Sequence, residues 1–189
     1  MATAMPVLNP ELVTALKRLK LGRIAETLPD RLLLADKQEM AFDELMLLVL
    51  TDEIARRDST AADVRARDAR LDTSMRFELW DKTSKVSFDK RMLSELVSLR
   101  FLEAHRHVVV LGPVGVGKTF VAQALGHIAC RHGYHVRFTR ADEMLRRLRQ
   151  SRFDNSRDAE MVALTSVDLL VLDDFALEPM SKEESRDIY

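Results

Sequence analysis

The sequence predicts an α/β fold: a P-loop NTPase parallel sheet with helices on both faces, incomplete, preceded by an all-helical N-terminal domain. Three observations carry this expectation. The run Gly112-Pro-Val-Gly-Val-Gly-Lys-Thr119 fits G-x-x-x-x-G-K-[ST], the phosphate-binding loop. It stands between Val108-Val-Val-Leu111, which reads as a buried strand, and Phe120-Val-Ala-Gln-Ala-Leu125, which reads as a helix. Further on, Asp168-Leu-Leu-Val-Leu-Asp-Asp174 is an apolar run closed by two carboxylates, the pattern of a strand in a sheet covered on both faces.

The chemistry needs this order of elements. Glycines let the backbone turn tightly and approach a polyphosphate with no Cβ in the way. The N–H groups of the loop and of the first helical turn then point at the anion. In this reading Gly112, Pro113, Val114, Gly115, Val116, Gly117, Lys118, Thr119 and Phe120 form the nucleotide site. Lys118 reaches the β- and γ-phosphates of ATP, and the Thr119 hydroxyl holds Mg²⁺. Carboxylates at the carboxyl end of a parallel strand sit where open α/β sheets bind ligands. Asp173 therefore shares the Mg²⁺, and Asp174 polarises an attacking water, so Lys118 and Asp174 are the candidate catalytic pair. The plainer reading makes the acids a solvated turn and the glycines a turn without chemical use. The joint presence of both motifs, roughly fifty residues apart as intervening β/α units allow, favours the metal site.

The chain has 189 residues, enough for one ordinary domain or two small ones. An apolar content of 47% permits a real core, and 31% charged residues with a net charge of −1 describe a mixed, soluble surface. Nucleic-acid affinity must then come from local clusters of charge. A single cysteine, Cys130, excludes an internal disulfide and suits a small core position on the helix after the loop. No apolar run reaches the length of a membrane span, and the start lacks the features of a secretory signal, so a cytoplasmic protein is expected.

Along the chain, Asn9-Pro10-Glu11 opens a helix with Leu12, Leu16 and Leu19 at helical spacing. Leu28-Pro29-Asp30 is expected to break it. A longer helix spans about Phe42 to Arg57, with Phe42, Leu45, Met46 and Val49 on one face. Asp58-Ser-Thr60 is expected to interrupt it, with another helix from Ala61 to Leu71. Residues 1–72 thus read as a helical domain that binds DNA or a partner. Residues 73–104 read as a connector, containing Phe77, Leu79 and Trp80, followed by a leading helix from Phe88 to Ala104. Residues 105–189 form the ATP-binding part. There, Tyr134 to Thr139 is a strand, and Thr139-Arg-Ala-Asp142 matches a capping box for the helix around Met144 to Leu148. Asn155 to Leu164 is another helix, Glu178-Pro179 a break, and Ser181-x-x-Glu184 the opening of a last helix.

Three basic clusters are candidates for DNA phosphates: Lys17, Arg18, Lys20 and Arg23; Arg65, Arg67 and Arg70; and Arg146, Arg147, Arg149 and Arg152. Asp63, Asp68 and Asp72 balance the second, which reads as a solvated face. His105, His107, His127, His132 and His135 crowd around Cys130, but no C-x₂-C pair accompanies them, which argues against a metal site there. Trp80 is one more candidate for base stacking, although a lone tryptophan among charges more often pins a loop to the core.

Taken together, the helical leader, the Gly112–Thr119 loop, Gly133-Tyr-His-Val-Arg-Phe-Thr139 and Leu169-Leu-Val-Leu-Asp-Asp-Phe175 resemble the IstB-like family, ATP-binding helpers of bacterial insertion sequences. More distantly, the chain is similar to DnaC helicase loaders. The resemblance covers nearly the whole chain and implies an AAA+ ATPase that oligomerises on DNA with ATP and recruits a transposase. By position it implies that Gly112, Gly115, Gly117, Lys118 and Thr119 bind nucleotide, Asp173 binds Mg²⁺ and Asp174 is the catalytic base. Many relatives in the wider class carry Glu at the last place, so the shorter Asp174 alters the reach.

The resemblance also implies a sheet of order 5-1-4-3-2, in which another strand lies between the P-loop strand and the Asp173 strand. From the loop to Tyr189 there are fewer than eighty residues, about half an ordinary domain. That strand, its sensor residue, the arginine finger and the helical lid would follow Tyr189, so the chain is expected to be truncated. Facing strand edges would then lack partners, at roughly 1–3 kcal/mol per buried unpaired group. ATP hydrolysis is expected to be weak or absent, since an arginine finger alone is worth about 10³–10⁵ in rate. Alternative readings are a helicase loader, a partner-docking module with a vestigial nucleotide site, and a small-molecule P-loop kinase.

Overall fold

The computed structural model describes residues 5–80, 89–175 and 179–188. The expected starts at Phe88 and the break at Glu178 lie outside them. Helices α1 (Pro10–Arg18), α2 (Ile24–Gln38) and α3 (Phe42–Asp68) come first, then a 3₁₀ turn (Phe77–Leu79), α4 (Lys90–Val97) and α5 (Arg100–Glu103). They are followed by α6 (Lys118–Arg131), β1 (Val136–Arg140), α7 (Ala141–Ser151), α8 (Arg157–Thr165), β2 (Leu169–Asp173) and α9 (Lys182–Ile188). Contacts divide the chain into two compact units, residues 1–60 and 61–189, so that α3 contributes to both.

In the first unit, α1 begins as its sequence dictates. The Asn9 side chain accepts from the Glu11 backbone N–H at 2.8 Å, and Pro10 occupies the first position. Pro29 does not break the chain, contrary to expectation; it lies inside α2, which runs on to a left-handed end at Glu39. Pro29 is the sixth residue of that helix, so it forfeits a hydrogen bond near an end whose first turns are already of the tighter i→i−3 kind. Burial of Ile24 and Ala35 on either side of it offsets that loss. Nor does Asp58-Ser-Thr60 interrupt α3. These residues cost only about 0.7 kcal/mol each or less against the best helix formers. The Thr60 hydroxyl finds a partner within the helix, donating to the Arg56 carbonyl at 2.9 Å. Glu53 is the buried anchor of this stretch, 5% exposed, and accepts from Arg56 and from Arg57 at 2.7–2.8 Å.

In the second unit, β1 and β2 pair in parallel, with Val136 opposite Leu169 and Arg140 opposite Asp173. Alternation along the strands feeds two cores. Val136 and Val171, with Phe138 and Leu169, join Ala66, Ala69, Leu71, Leu99, Ala129 and Cys130 on the α6 side. Leu170 and Leu172 join Met144, Leu145, Leu148 and Leu164 on the α7–α8 side. That two-sided cover is why β2 is apolar throughout. The opening of α9 is the capping box read from the sequence: Ser181 N–H donates to Glu184, and Glu184 N–H to the Ser181 hydroxyl.

Three further expectations are corrected. Val108 to Leu111 is not a buried strand. It lies outside any helix or ladder, with Val109 76% and Leu111 87% exposed. The sheet holds β1 and β2 alone among the described residues, so nothing there offers this segment the ladder that a strand requires. The helix expected to run from Phe88 to Ala104 divides at Leu99, which adopts a left-handed φ of 58°. Strain of about 1–2 kcal/mol is met by about 1.5–3 kcal/mol from burying this leucine in the core. Finally, Thr139 does not cap α7. It is part of β1, opposite Leu172, and its hydroxyl turns to the Arg140 carbonyl, while Asp142 accepts from Arg140.

The Glu53 cluster sets an acid limit on the first unit. Hydrogen bonds from Arg56 and then Arg57 lower its pKa from 4.5 to about 2. A carboxyl depressed in the folded state contributes stability above its unfolded pKa and loses it as pH falls towards the folded one. We expect helicity monitored by circular dichroism to weaken between pH 4.5 and about 2. In Glu53→Gln that pH dependence should flatten, with lower stability at neutral pH.

Candidate functional site

The site is built where the amino end of α6 meets the carboxyl end of β2. Gly117 caps α6 in a left-handed conformation, φ 90°, and Gly115 has φ 83°. An added Cβ at either glycine would find no heavy atom within 4 Å, so the space over the loop is open. No side chain caps the helix, which leaves the N–H groups of its first turn directed at that space. This is an anion cradle made of backbone. Pro113, Val114 and Gly115 form its exposed rim. Lys118 folds back over the loop, its Nζ donating to the carbonyls of Gly112 at 2.9 Å and Pro113 at 2.7 Å.

Thr119 lies one residue into the helix and faces β2. Its hydroxyl is 3.0 Å from Asp173 Oδ1 and 2.9 Å from Oδ2. The structure thus brings together the two residues that the sequence paired as metal ligands. A hydroxyl and a carboxylate are hard oxygen donors, and a site supplying few of them suits Mg²⁺, which takes its remaining ligands from water and phosphate. Asp174 follows in a left-handed conformation, φ 53°. Its carboxylate is 3.0 Å from Arg140 Nη1.

Arg140 is the residue that sequence reasoning missed. It ends β1, in register with Asp173, and holds two acids: Asp142 through Nε at 3.1 Å, and Asp174. The hydrogen bond to Asp142, then the charges of Asp142 and Asp174, raise its pKa further. The signal that would have found it is its place at the carboxyl end of the neighbouring strand.

Phe120 turns away from the loop into an aromatic group. Its ring meets Trp80 edge-on at 4.9 Å and Phe77 at 6.2 Å, and Phe77 stacks on Trp80. The lone tryptophan therefore packs beside the first turn of α6. Two polar side chains of that helix grip the backbone of Asp72: Gln123 accepts from its N–H at 2.8 Å, and His127 Nε2 donates to its carbonyl at 2.8 Å. Burial lowers the pKa of His127, consistent with a neutral ring. The other histidines do not converge on Cys130. Among the described residues, no three His, Cys, Asp or Glu side chains are grouped to hold a metal ion.

The basic clusters separate by their partners. Arg65 donates to the Cys130 carbonyl and Arg70 pairs with Glu143. In the third cluster Arg147 pairs with Glu143, Arg149 with Glu184, and Arg152 with Glu183 and Asp187. The first cluster lies on and after α1, a helix with no buried residue, where Arg23 pairs with Glu26.

Comparison with known proteins bears on the whole chain. Residues 14–189 match the family model described as IstB-like ATP binding protein. The chain is 37% identical over 185 residues to a protein of Mycobacterium tuberculosis named as an ATP-binding protein in an insertion sequence, covering 98% of this chain and 74% of that one. A similarly named insertion-sequence protein of Pseudomonas fluorescens is 32% identical over 177 residues, covering 93% and 77%. One from Pseudomonas aeruginosa is 31% identical over 175 residues, covering 93% and 66%.

The cradle depends on backbone conformation more than on packing. At Gly117 a methyl group would meet no atom, so Gly117→Ala isolates the cost of a positive φ. We expect a loss of about 1 kcal/mol, read as a lower thermal midpoint.

Proposed function

The chain belongs to the IstB-like ATP-binding protein family, and from that membership we propose that it binds ATP with Mg²⁺ and uses the bound nucleotide to engage DNA and recruit a transposase. The observation that carries the reading is the meeting of Thr119 with Asp173 beside an open glycine loop. In this reading the backbone N–H groups from Gly115 to Thr119 bind the phosphates. Lys118 exchanges the carbonyls of Gly112 and Pro113 for phosphate oxygens. The Thr119 hydroxyl and the Asp173 carboxylate hold the magnesium ion, which supplies charge neutralisation along the triphosphate.

Asp174 is assigned as the group that orients and deprotonates water for hydrolysis. Arg140 holds it in place while the site is at rest. Arg65 and Arg70 of the second cluster and Arg147, Arg149 and Arg152 of the third are engaged by acids or a carbonyl, so the first cluster, Lys17, Arg18, Lys20 and Arg23, on and after a helix with no buried residue, is taken as the DNA contact. Self-assembly of several copies on DNA completes the proposal, as does a cytoplasmic setting. No helix among the described residues is long and apolar enough to cross a membrane.

Trp80 supplies the assay, because it is the chain's one tryptophan and touches Phe120, next to Thr119. We expect Mg-ATP to change its emission in a saturable way. Lys118→Ala should weaken binding roughly ten- to a hundredfold, the loss of charge-assisted hydrogen bonds worth about 1.5–3 kcal/mol. Wild-type protein with no measurable affinity for ATP would defeat the proposal. Asp174→Asn should keep the affinity and abolish whatever turnover the wild type shows. Removing the charges of Lys17, Arg18, Lys20 and Arg23 should lower the slope of log affinity for DNA against log salt.

A further inference from the structure

A pocket of about 330 Å³ opens within the second unit, at the end of the sheet away from the nucleotide site. Val136, the first residue of β1, forms its floor, and Ala163 and Val167 give it an apolar wall. Asp173 pairs with Arg140, four residues further along β1, so the contact with Thr119 lies roughly 13 Å up the strands at about 3.3 Å per residue.

Three arginines reach this pocket from three places: Arg65 from the end of α3, Arg70 from the turn after it, and Arg137 from β1. Two of them are anchored on neutral groups. Arg65 Nε donates to the Cys130 carbonyl at 2.8 Å, and Arg137 Nη1 to the Ala163 carbonyl at 3.1 Å. A carbonyl fixes a guanidinium without cancelling its charge, and each fork keeps further N–H donors. The nearby acids are farther off, Glu143 at 3.4 Å from Arg70 and Glu160 at 3.8 Å from Arg137. Asp68 is the one carboxylate among the described lining residues.

The backbone adds a donor. The Phe138 N–H points away from β2, to the Ala69 carbonyl at 2.9 Å, while the His135 carbonyl accepts from Leu169 on the β2 side at 3.2 Å. Alternation therefore turns the Val136 N–H to the outer edge, where the pocket lies.

These features select a ligand. Three guanidinium groups against one carboxylate call for an anion. Donors that converge from three directions suit the three terminal oxygens of a phosphate better than the two coplanar oxygens of a carboxylate. The volume falls at the low end of ligand sites, roughly 300–1,000 Å³, which admits a small molecule and not a duplex. The apolar wall covers carbon atoms, and Asp68 accepts from a hydroxyl. We propose that this pocket binds a small phosphate monoester carrying hydroxyl groups, of the sugar-phosphate kind, at a site separate from that of ATP.

The test titrates ribose 5-phosphate into the full chain carrying Lys118→Ala, followed by calorimetry. Saturable binding of one ligand per chain is expected, at least about tenfold tighter than that of ribose or of sulfate at equal ionic strength. The wild type should bind alike, so this reading and the ATP reading fail separately. Arg70→Gln, at a side chain 58% exposed, should weaken binding about tenfold with circular dichroism unchanged. Arg137→Gln should do the same. Arg146→Gln, an equal change of charge outside the pocket, should leave the affinity as it was. No saturable binding up to about 10 mM overturns the proposal. So does sulfate binding as tightly as the sugar phosphate, a loss of binding in Lys118→Ala, or an Arg70→Gln variant that behaves as Arg146→Gln does.

Discussion

The contact between the Thr119 hydroxyl and the Asp173 carboxylate joins residues 54 positions apart, and much of the second unit is arranged so that it forms. Thr119 is placed by the start of α6, which Gly117 sets by taking a backbone conformation that other residues resist. Asp173 is placed by the end of β2, and β2 in turn by its parallel ladder with β1. A shift of register by one residue would turn Asp173 to the opposite face of the sheet and bring Leu172 to its place. The two hydrophobic cores resist that shift, since each accepts only alternate residues of β2.

Much of this was legible before any coordinates. The glycine spacing, the Lys-Thr pair and the apolar run ending in acids are local signals. Their meeting follows from the fact that strand ends and helix starts share one side of a parallel sheet. The less legible part involved competition between local preference and tertiary gain. Pro29 and Asp58-Ser-Thr60 carry the signs of breaks, yet the surrounding helix repays their cost. Leu99 carries no such sign, yet its burial bends the chain there. Val108 to Leu111 has the composition of a strand, but composition does not supply a neighbour. Arg140 escaped notice because an arginine after a strand has no distinctive pattern until its register with Asp173 is known.

The two units differ in what organises them. The first is helical and is held in part by charge: Glu53 with two arginines, and Arg31 with Asp52 at 2.6 Å. The second relies on apolar layers around a small sheet, with ion pairs at its border. Near its end Asp187 is buried between Arg152 and Arg157, which ties α9 to the segment joining α7 and α8. Such a pair is costly to break from one side, because it would leave a buried charge alone.

The way Lys118 rests has a bearing on which solutes can occupy the loop. Its ammonium group is already coordinated by two peptide oxygens, so an incoming anion meets a charge that has a partner. The ammonium has three N–H donors, so the two carbonyls leave one for an incoming anion. A chain of phosphoryl oxygens would engage that donor and the surrounding amides together, whereas a small monovalent anion would reach fewer of them at once.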